Sequence, residues 1–296
     1  MERRTRCHLA LLPCLLLVVL ASLVAASEVT SPVAPAGFDH TLWTRVLQSY
    51  ASTAKIDGIQ ETVVDYETLR RRADPDFANY LDKLADFDPA TLSGSREETL
   101  AFWLNAYNAF AVRQVVNNPC RVVFGKFCWP ARSIRALGGL GQKNWDVAVG
   151  KIGNRDYTLR QIQAVVGSLN DSRAWSCMVS ACVSCPSLLN TAYLPQTLDA
   201  QMNLSAALYL NDTGKGLSLD RNSLSLKLSP IFEWNRDAIA RQHGSVINYI
   251  LAYMDTSPAT KLFIATNADR LKVSYFDYKW ELNSFENSLL RSPSFW

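Results

Sequence analysis

The stretch Ser95-Arg96-Glu97-Glu98-Thr99-Leu100-Ala101-Phe102-Trp103-Leu104-Asn105-Ala106-Tyr107-Asn108-Ala109-Phe110-Ala111-Val112-Arg113-Gln114-Val115-Val116 decides how the rest of the chain is read. Ser95 with Glu98 three residues on has the form of a capping box, which marks a helix start. Asn117-Asn118-Pro119 ends the run, because proline has no amide hydrogen and disfavours helix in the residue before it. Between these signals almost every face is apolar, and a helix that is apolar all round belongs inside. The stretch therefore predicts a buried central helix. Asn105 and Asn108 are its polar exceptions. A buried amide with no hydrogen-bond partner costs ~1–3 kcal/mol per unmet group, so these two either tie neighbouring loops to the helix or line a pocket. The structural tie is preferred, since most buried polar groups are structural.

Working outward, Leu42, Val46, Leu47 and Tyr50 recur at helical spacing between Phe38 and Ser52. Val63-Val64-Asp65-Tyr66 reads as extended, and a helix is expected from Asp76 to Ala85. Beyond the central helix, Asp146 to Ile152 and Trp175 to Ser180 read as strands and Gln196 to Tyr209 as helix. Leu217 to Asp220 and Leu224 to Leu228 form a natural hairpin. Helices at Ile231 to Ala240 and Ser245 to Met254 and a strand at Leu271 to Phe276 complete the reading. Helices and strands come in blocks, without regular βαβ alternation, which predicts an α+β fold. The expected architecture is a single compact domain with a buried central helix packed on a largely antiparallel sheet.

At the N-terminus, Arg3, Arg4 and Arg6 precede an apolar run from Leu9 to Val24 and then Ala25-Ala26 before Ser27, the order of a secretory signal peptide. The run includes Pro13 and falls short of the ~20 residues that span a bilayer. The expected organisation is a cleaved signal over 1–26, a leader and first helix over 27–60, and the main domain over 61–296, with the product secreted or in the lumen of the secretory pathway. Cleavage leaves 270 residues with 27 basic and 26 acidic side chains. So balanced a charge argues against nucleic acid and against an anionic membrane as partner. Cys120, Cys128, Cys177, Cys182 and Cys185 then face an oxidising compartment. A disulfide between Cys120 and Cys128 would pin the aromatic loop between them. Asn170, Asn203 and Asn211 each open an N-glycosylation acceptor sequence.

Several segments resemble, in order, the family known as domain of unknown function 547. They are Val64-Asp65-Tyr66; Phe102 to Ala109; Ser133-Ile134-Arg135 with Leu137-Gly138-Gly139 and Trp145; Ser184-Cys185-Pro186; Tyr193; Leu210-Asn211-Asp212; Leu226 to Phe232 with Trp234; and Tyr275-Phe276-Asp277-Tyr278 with Trp280. The family pattern places a histidine and a cysteine before its Ser-Cys-Pro, and a histidine in an Ile-Glu-His segment. An imidazole beside a thiol can generate a nucleophilic thiolate, so the resemblance implies hydrolase-like chemistry. Aligned on Ser184-Cys185-Pro186, this chain has Trp175 and Ser180 at the first two positions and Ala164 at the third.

Cys182-Val183-Ser184-Cys185 can be a redox pair, half a zinc site or a structural element, the last being preferred because no second ligand pair of zinc spacing follows. No metal or other cofactor is expected. A nucleophile at Cys185, Cys182 or Ser180 with His243 as base is the catalytic reading. Asn105, Asn108, Asp65, Arg135 and Glu233 are the pocket candidates. The leading expectation is a domain that binds a small molecule, peptide or protein without turning it over. The alternative is a cysteine- or serine-dependent hydrolase of peptide-like amides.

Overall fold

The computed structural model describes residues 37–92, 94–123, 127–130, 132–137 and 144–290, with 120–123, 127–130 and 144 described by their backbone alone. The signal sequence, residues 27–36 and the pairing of Cys120 with Cys128 lie outside that description. Helix α1 (Thr41–Tyr50) buries Trp43, Val46, Leu47 and Tyr50. It runs directly into an antiparallel hairpin of β1 (Ala51–Ile56) and β2 (Ile59–Val64). The turn is Asp57-Gly58, with φ of 50° and 80°, the pair that suits a two-residue hairpin turn because glycine and aspartate tolerate the left-handed region. Helices α2 (Tyr66–Arg72) and α3 (Pro75–Asp86) start on aspartate caps. Asp65 Oδ1 accepts from the Thr68 amide at 2.8 Å and Asp74 Oδ1 from the Phe77 amide at 3.1 Å. The central helix, α4 (Arg96–Asn117), begins as expected, with Ser95 Oγ accepting the Glu98 amide at 3.1 Å.

A backbone hairpin of β3 (Cys120–Val123) and β4 (Phe127–Pro130) follows, then the hairpin β5 (Ala148–Ile152) and β6 (Arg155–Thr158). Helix α5 (Leu159–Ser168) carries a full capping box between Thr158 and Gln161. Next come α6 (Leu198–Asn211), the hairpin β7 (Leu217–Asp220) and β8 (Ser225–Leu228), and helices α7 (Pro230–Trp234), α8 (Arg236–His243), α9 (Val246–Tyr253) and α10 (Pro258–Thr266). Strand β9 (Lys272–Tyr275) pairs in parallel with β8, and α11 (Phe285–Leu290) closes the described chain.

The α+β class and the buried helix hold, and residues 37–290 belong to one compact unit. The antiparallel pairing expected beside the helix takes the form of small sheets, one of which meets α4 through β5. Among the described residues, strands of four to six residues form four small sheets, and α4 packs against α2, α5, β5 and the short turns Pro89–Leu92 and Pro195–Thr197. A helix apolar on every side needs cover on every side, which one sheet face cannot give. The approach of β5 depends on Gly150, where an added Cβ would lie 2.5 Å from the Phe110 ring.

A correction concerns Trp175 to Ser180, expected as a strand. Ser172–Ser176 is a 3-10 turn, and the chain after it is irregular. Its hydrogen bonds go to Asn108 instead of a neighbouring strand: Nδ2 donates to the Cys177 carbonyl at 3.0 Å and Oδ1 accepts from the Val179 amide at 2.8 Å. One large apolar cluster surrounds α4, and another gathers Tyr209, Leu226, Phe232, Tyr249 and Ile264 from the C-terminal half. Trp175 and Tyr278 pack against both, so they mark the seam between them.

Candidate functional site

At that seam lies a cleft of about 490 Å³. Its aromatic walls are Trp145 from the turn before β5, Trp175, Trp234 at the end of α7, and Tyr278 and Trp280 from the segment after β9. Gln163, Ala164 and Arg160 reach it from α5, Asn235 follows Trp234, and Ser180 comes from the irregular segment that Asn108 holds. Ala164, Trp175 and Ser180, the three positions at which the family pattern puts histidine, histidine and cysteine, all line this one cleft. They are far apart on the chain relative to the cleft's size, and the fold brings them together.

The rings touch one another closely. Trp234 and Trp280 lie with planes 16° apart and centroids 5.9 Å apart, Tyr278 sits 4.4 Å from Trp280 and 4.9 Å from Trp234, and Trp145 meets Trp280 edge-on at 5.5 Å. The Arg135 guanidinium lies over Trp280, 4.2 Å from the ring centre, a cation–π contact. Arg160 is ion-paired with Asp146. Ser180 Oγ is 2.7 Å from the Tyr107 hydroxyl, to which Gln163 Nε2 donates at 3.1 Å. Burial pushes the Tyr107 phenol above its ordinary pKa, with the Ser180, Trp145 and Gln163 side chains pulling it partway back.

The thiol reading does not survive the geometry. Cys182 and Cys185 are joined in a disulfide, so neither sulfur is a nucleophile in this state, and the Tyr278 hydroxyl stands 3.5 Å from each. Among the described residues the remaining thiol, Cys177, is buried, and desolvation pushes its pKa up to about 12. His243 does not meet Ser180 or the cysteines; its Nε2 is 2.9 Å from Ser172 Oγ. That pair resembles a serine–histidine dyad, but Ser172 is 2% exposed and closed to substrate. Burial, the largest influence, also lowers the His243 pKa.

The pocket candidates divide. Asn105 Nδ2 donates to the Tyr193 carbonyl at 2.8 Å while its Oδ1 accepts the Tyr193 amide at 2.9 Å, and Asn108 is engaged in the same way, so both are internal ties. Asp65 caps α2. Glu233 is exposed on α7 and outside the cleft lining. Arg135 alone reaches the cleft's edge, through Trp280. Gln163 was missed by reading the sequence. Trp145, Trp234, Tyr278 and Trp280 had all appeared within the family-like segments, so the signal was present without the geometry to join it.

Among the described residues, no group of three His, Cys, Asp or Glu side chains is placed to hold a metal ion, and no helix is long and apolar enough to cross a membrane. No curated protein and no solved structure matches the chain. Residues 91–210, the segment that carries α4 to α6 and three of the cleft's key positions, match the family model described as "Protein of unknown function, DUF547", in agreement with the resemblance that the sequence motifs carry.

Proposed function

We propose that this chain is a non-catalytic binding domain whose aromatic cleft holds a small ligand without turning it over. The observation that carries this reading is the convergence of Ala164, Trp175 and Ser180 on one cleft. A nucleophile needs a base within hydrogen-bond reach. The partner of Ser180 is Tyr107, whose raised pKa keeps it protonated at neutral pH. Trp175 offers only an N–H donor, and Ala164 offers nothing. What the cleft supplies is volume within the ~300–1,000 Å³ of small-ligand sites and broad ring surface with a few polar groups. The disulfide between Cys182 and Cys185 supports placing the protein in an oxidising compartment. Exposure of Asn170, Asn203 and Asn211 fits glycan attachment there.

The test has two arms on the full-length protein. Incubation with p-nitrophenyl esters, thioesters and peptide amides is expected to give no turnover above that of Ser180→Ala. A rate that collapses in Ser180→Ala would establish the hydrolase instead. A thermal-shift screen of uncharged small molecules is expected to yield ligands whose effect disappears in Trp234→Ala. Persistence of every such shift in that variant would move binding out of the cleft.

A further inference from the structure

We propose that the ligand of this cleft is a neutral saccharide, lying with its C–H face against the exposed indole and its hydroxyls on the polar groups beside it; this rests on the binding reading above. Four of the chain's eight tryptophans line this cleft, far more than an ordinary core seam needs. The manner of their packing narrows the ligand. A flat ring inserted between two others needs about 7 Å, twice the ~3.5 Å contact distance. Trp234 and Trp280 are near-parallel with centroids only 5.9 Å apart, so nothing enters between them. Trp234 is nonetheless 55% exposed, and it offers a single open face. A planar heteroaromatic ligand would be covered on one side only. A pyranose has one apolar C–H face to cover and hydroxyls around its rim, and suits a one-sided platform.

The polar groups match that rim. Gln163 donates its Nε2 to Tyr107 and Asn235 its Nδ2 to the Ile231 carbonyl at 2.9 Å. Among the described residues, neither Gln163 Oε1 nor Asn235 Oδ1 has a hydrogen-bond partner. Planar side-chain carbonyls accept hydroxyl protons, and Ser180 Oγ can both donate and accept. Charge decides against the other ring-seeking ligands. A quaternary ammonium ion is held by open aromatic faces, yet Arg135 already lies over Trp280, Arg160 lines the cleft, and among the described residues no carboxylate is part of its lining. An anion would find Arg160 already engaged by Asp146. An uncharged polyol meets none of these obstacles.

The experiment is calorimetric titration of the full-length protein with neutral gluco-, manno-, xylo- and N-acetylglucosamine oligosaccharides, alongside choline, adenosine and a uronic-acid oligosaccharide. The expected result is binding of at least one neutral saccharide, weakened about tenfold or more by Trp234→Ala and by Gln163→Ala, with the melting temperature of Trp234→Ala unchanged. Trp234-dependent binding of choline, adenosine or the acidic sugar, with no neutral saccharide bound, would overturn the ligand class and leave the binding reading standing. Absence of Trp234-dependent binding for every probe would overturn the inference. Cleavage of a bound oligosaccharide, seen by chromatography, would keep the ligand class and overturn the non-catalytic reading.

Discussion

Trp43 and Trp234 are the same side chain in opposite circumstances. Trp43 is 1% exposed and stacked on Tyr80 with planes 18° apart; Trp234 is stacked just as flatly on Trp280 but keeps more than half of its surface in solvent. The polar groups nearby differ in the same way. On the central helix Asn105 and Asn108 are matched at both ends by backbone groups, and His40 Nδ1 lies 2.8 Å from the Tyr80 hydroxyl. Around the cleft, among the described residues, Gln163 and Asn235 are matched at one end only. Aromatic density by itself therefore identifies no site in this protein. An uncovered ring face beside half-satisfied polar groups does.

The largest expected effect comes from the closed side of this comparison. Burial holds the His40 pKa down to about 3, well under its ordinary value near 6.5, with Asp39 opposing only weakly. The folded state thus binds the proton less tightly than the unfolded one. Stability from this group is complete above pH 6.5 and is lost as pH falls toward 3, amounting to roughly 4–5 kcal/mol. Urea unfolding across that window should show His40→Gln losing less stability than the parent by about this amount. Equal slopes would mean that His40 is not sealed.

Next in size is Asn108→Ala, which leaves the Cys177 carbonyl and Val179 amide without their partner. At ~1–3 kcal/mol for each of the two orphaned groups it should cost roughly 2–6 kcal/mol in chemical denaturation. It should also loosen Ser180, raising amide exchange across residues 177–180. The matching change on the open side, Asn235→Ala, should fall within about 0.5 kcal/mol of the parent, as surface substitutions do. A cost comparable to that of Asn108→Ala would erase the distinction between the two regions. Smallest of all is Trp234→Ala, expected to leave the unfolding midpoint unmoved while removing ligand binding. A clear destabilisation would make Trp234 part of the core.

Local signals were legible in the sequence. The apolar run of α4 with its Ser95 cap, the periodicity of α1, α3 and α6, and the β7–β8 hairpin all depend on neighbours a few residues apart. The first hairpin went unread, although its turn residues Asp57-Gly58 are a local signal of the same kind. The segment from Trp175 to Ser180 was misread because its backbone partner is a side chain, Asn108, from another element. The small size of the sheets beside α4 was not legible, because the sequence shows that a helix is buried and not which elements bury it. As for the site, the departures at Ala164, Trp175 and Ser180 were readable, whereas their meeting with Trp234, Tyr278 and Trp280 belongs to tertiary packing.

The central claim is that the open ring faces at the seam bind and the closed ones do not. Indole N–H signals of the ¹⁵N-labelled full-length protein, titrated with the neutral oligosaccharide set, read it directly. Shifts confined to the signals of Trp234, Trp280 and their cleft neighbours, with Trp43 and Trp103 unmoved, are the predicted result. Indole signals that stay fixed at saturating oligosaccharide, or that move as far for Trp43 and Trp103 as for Trp234, would contradict it.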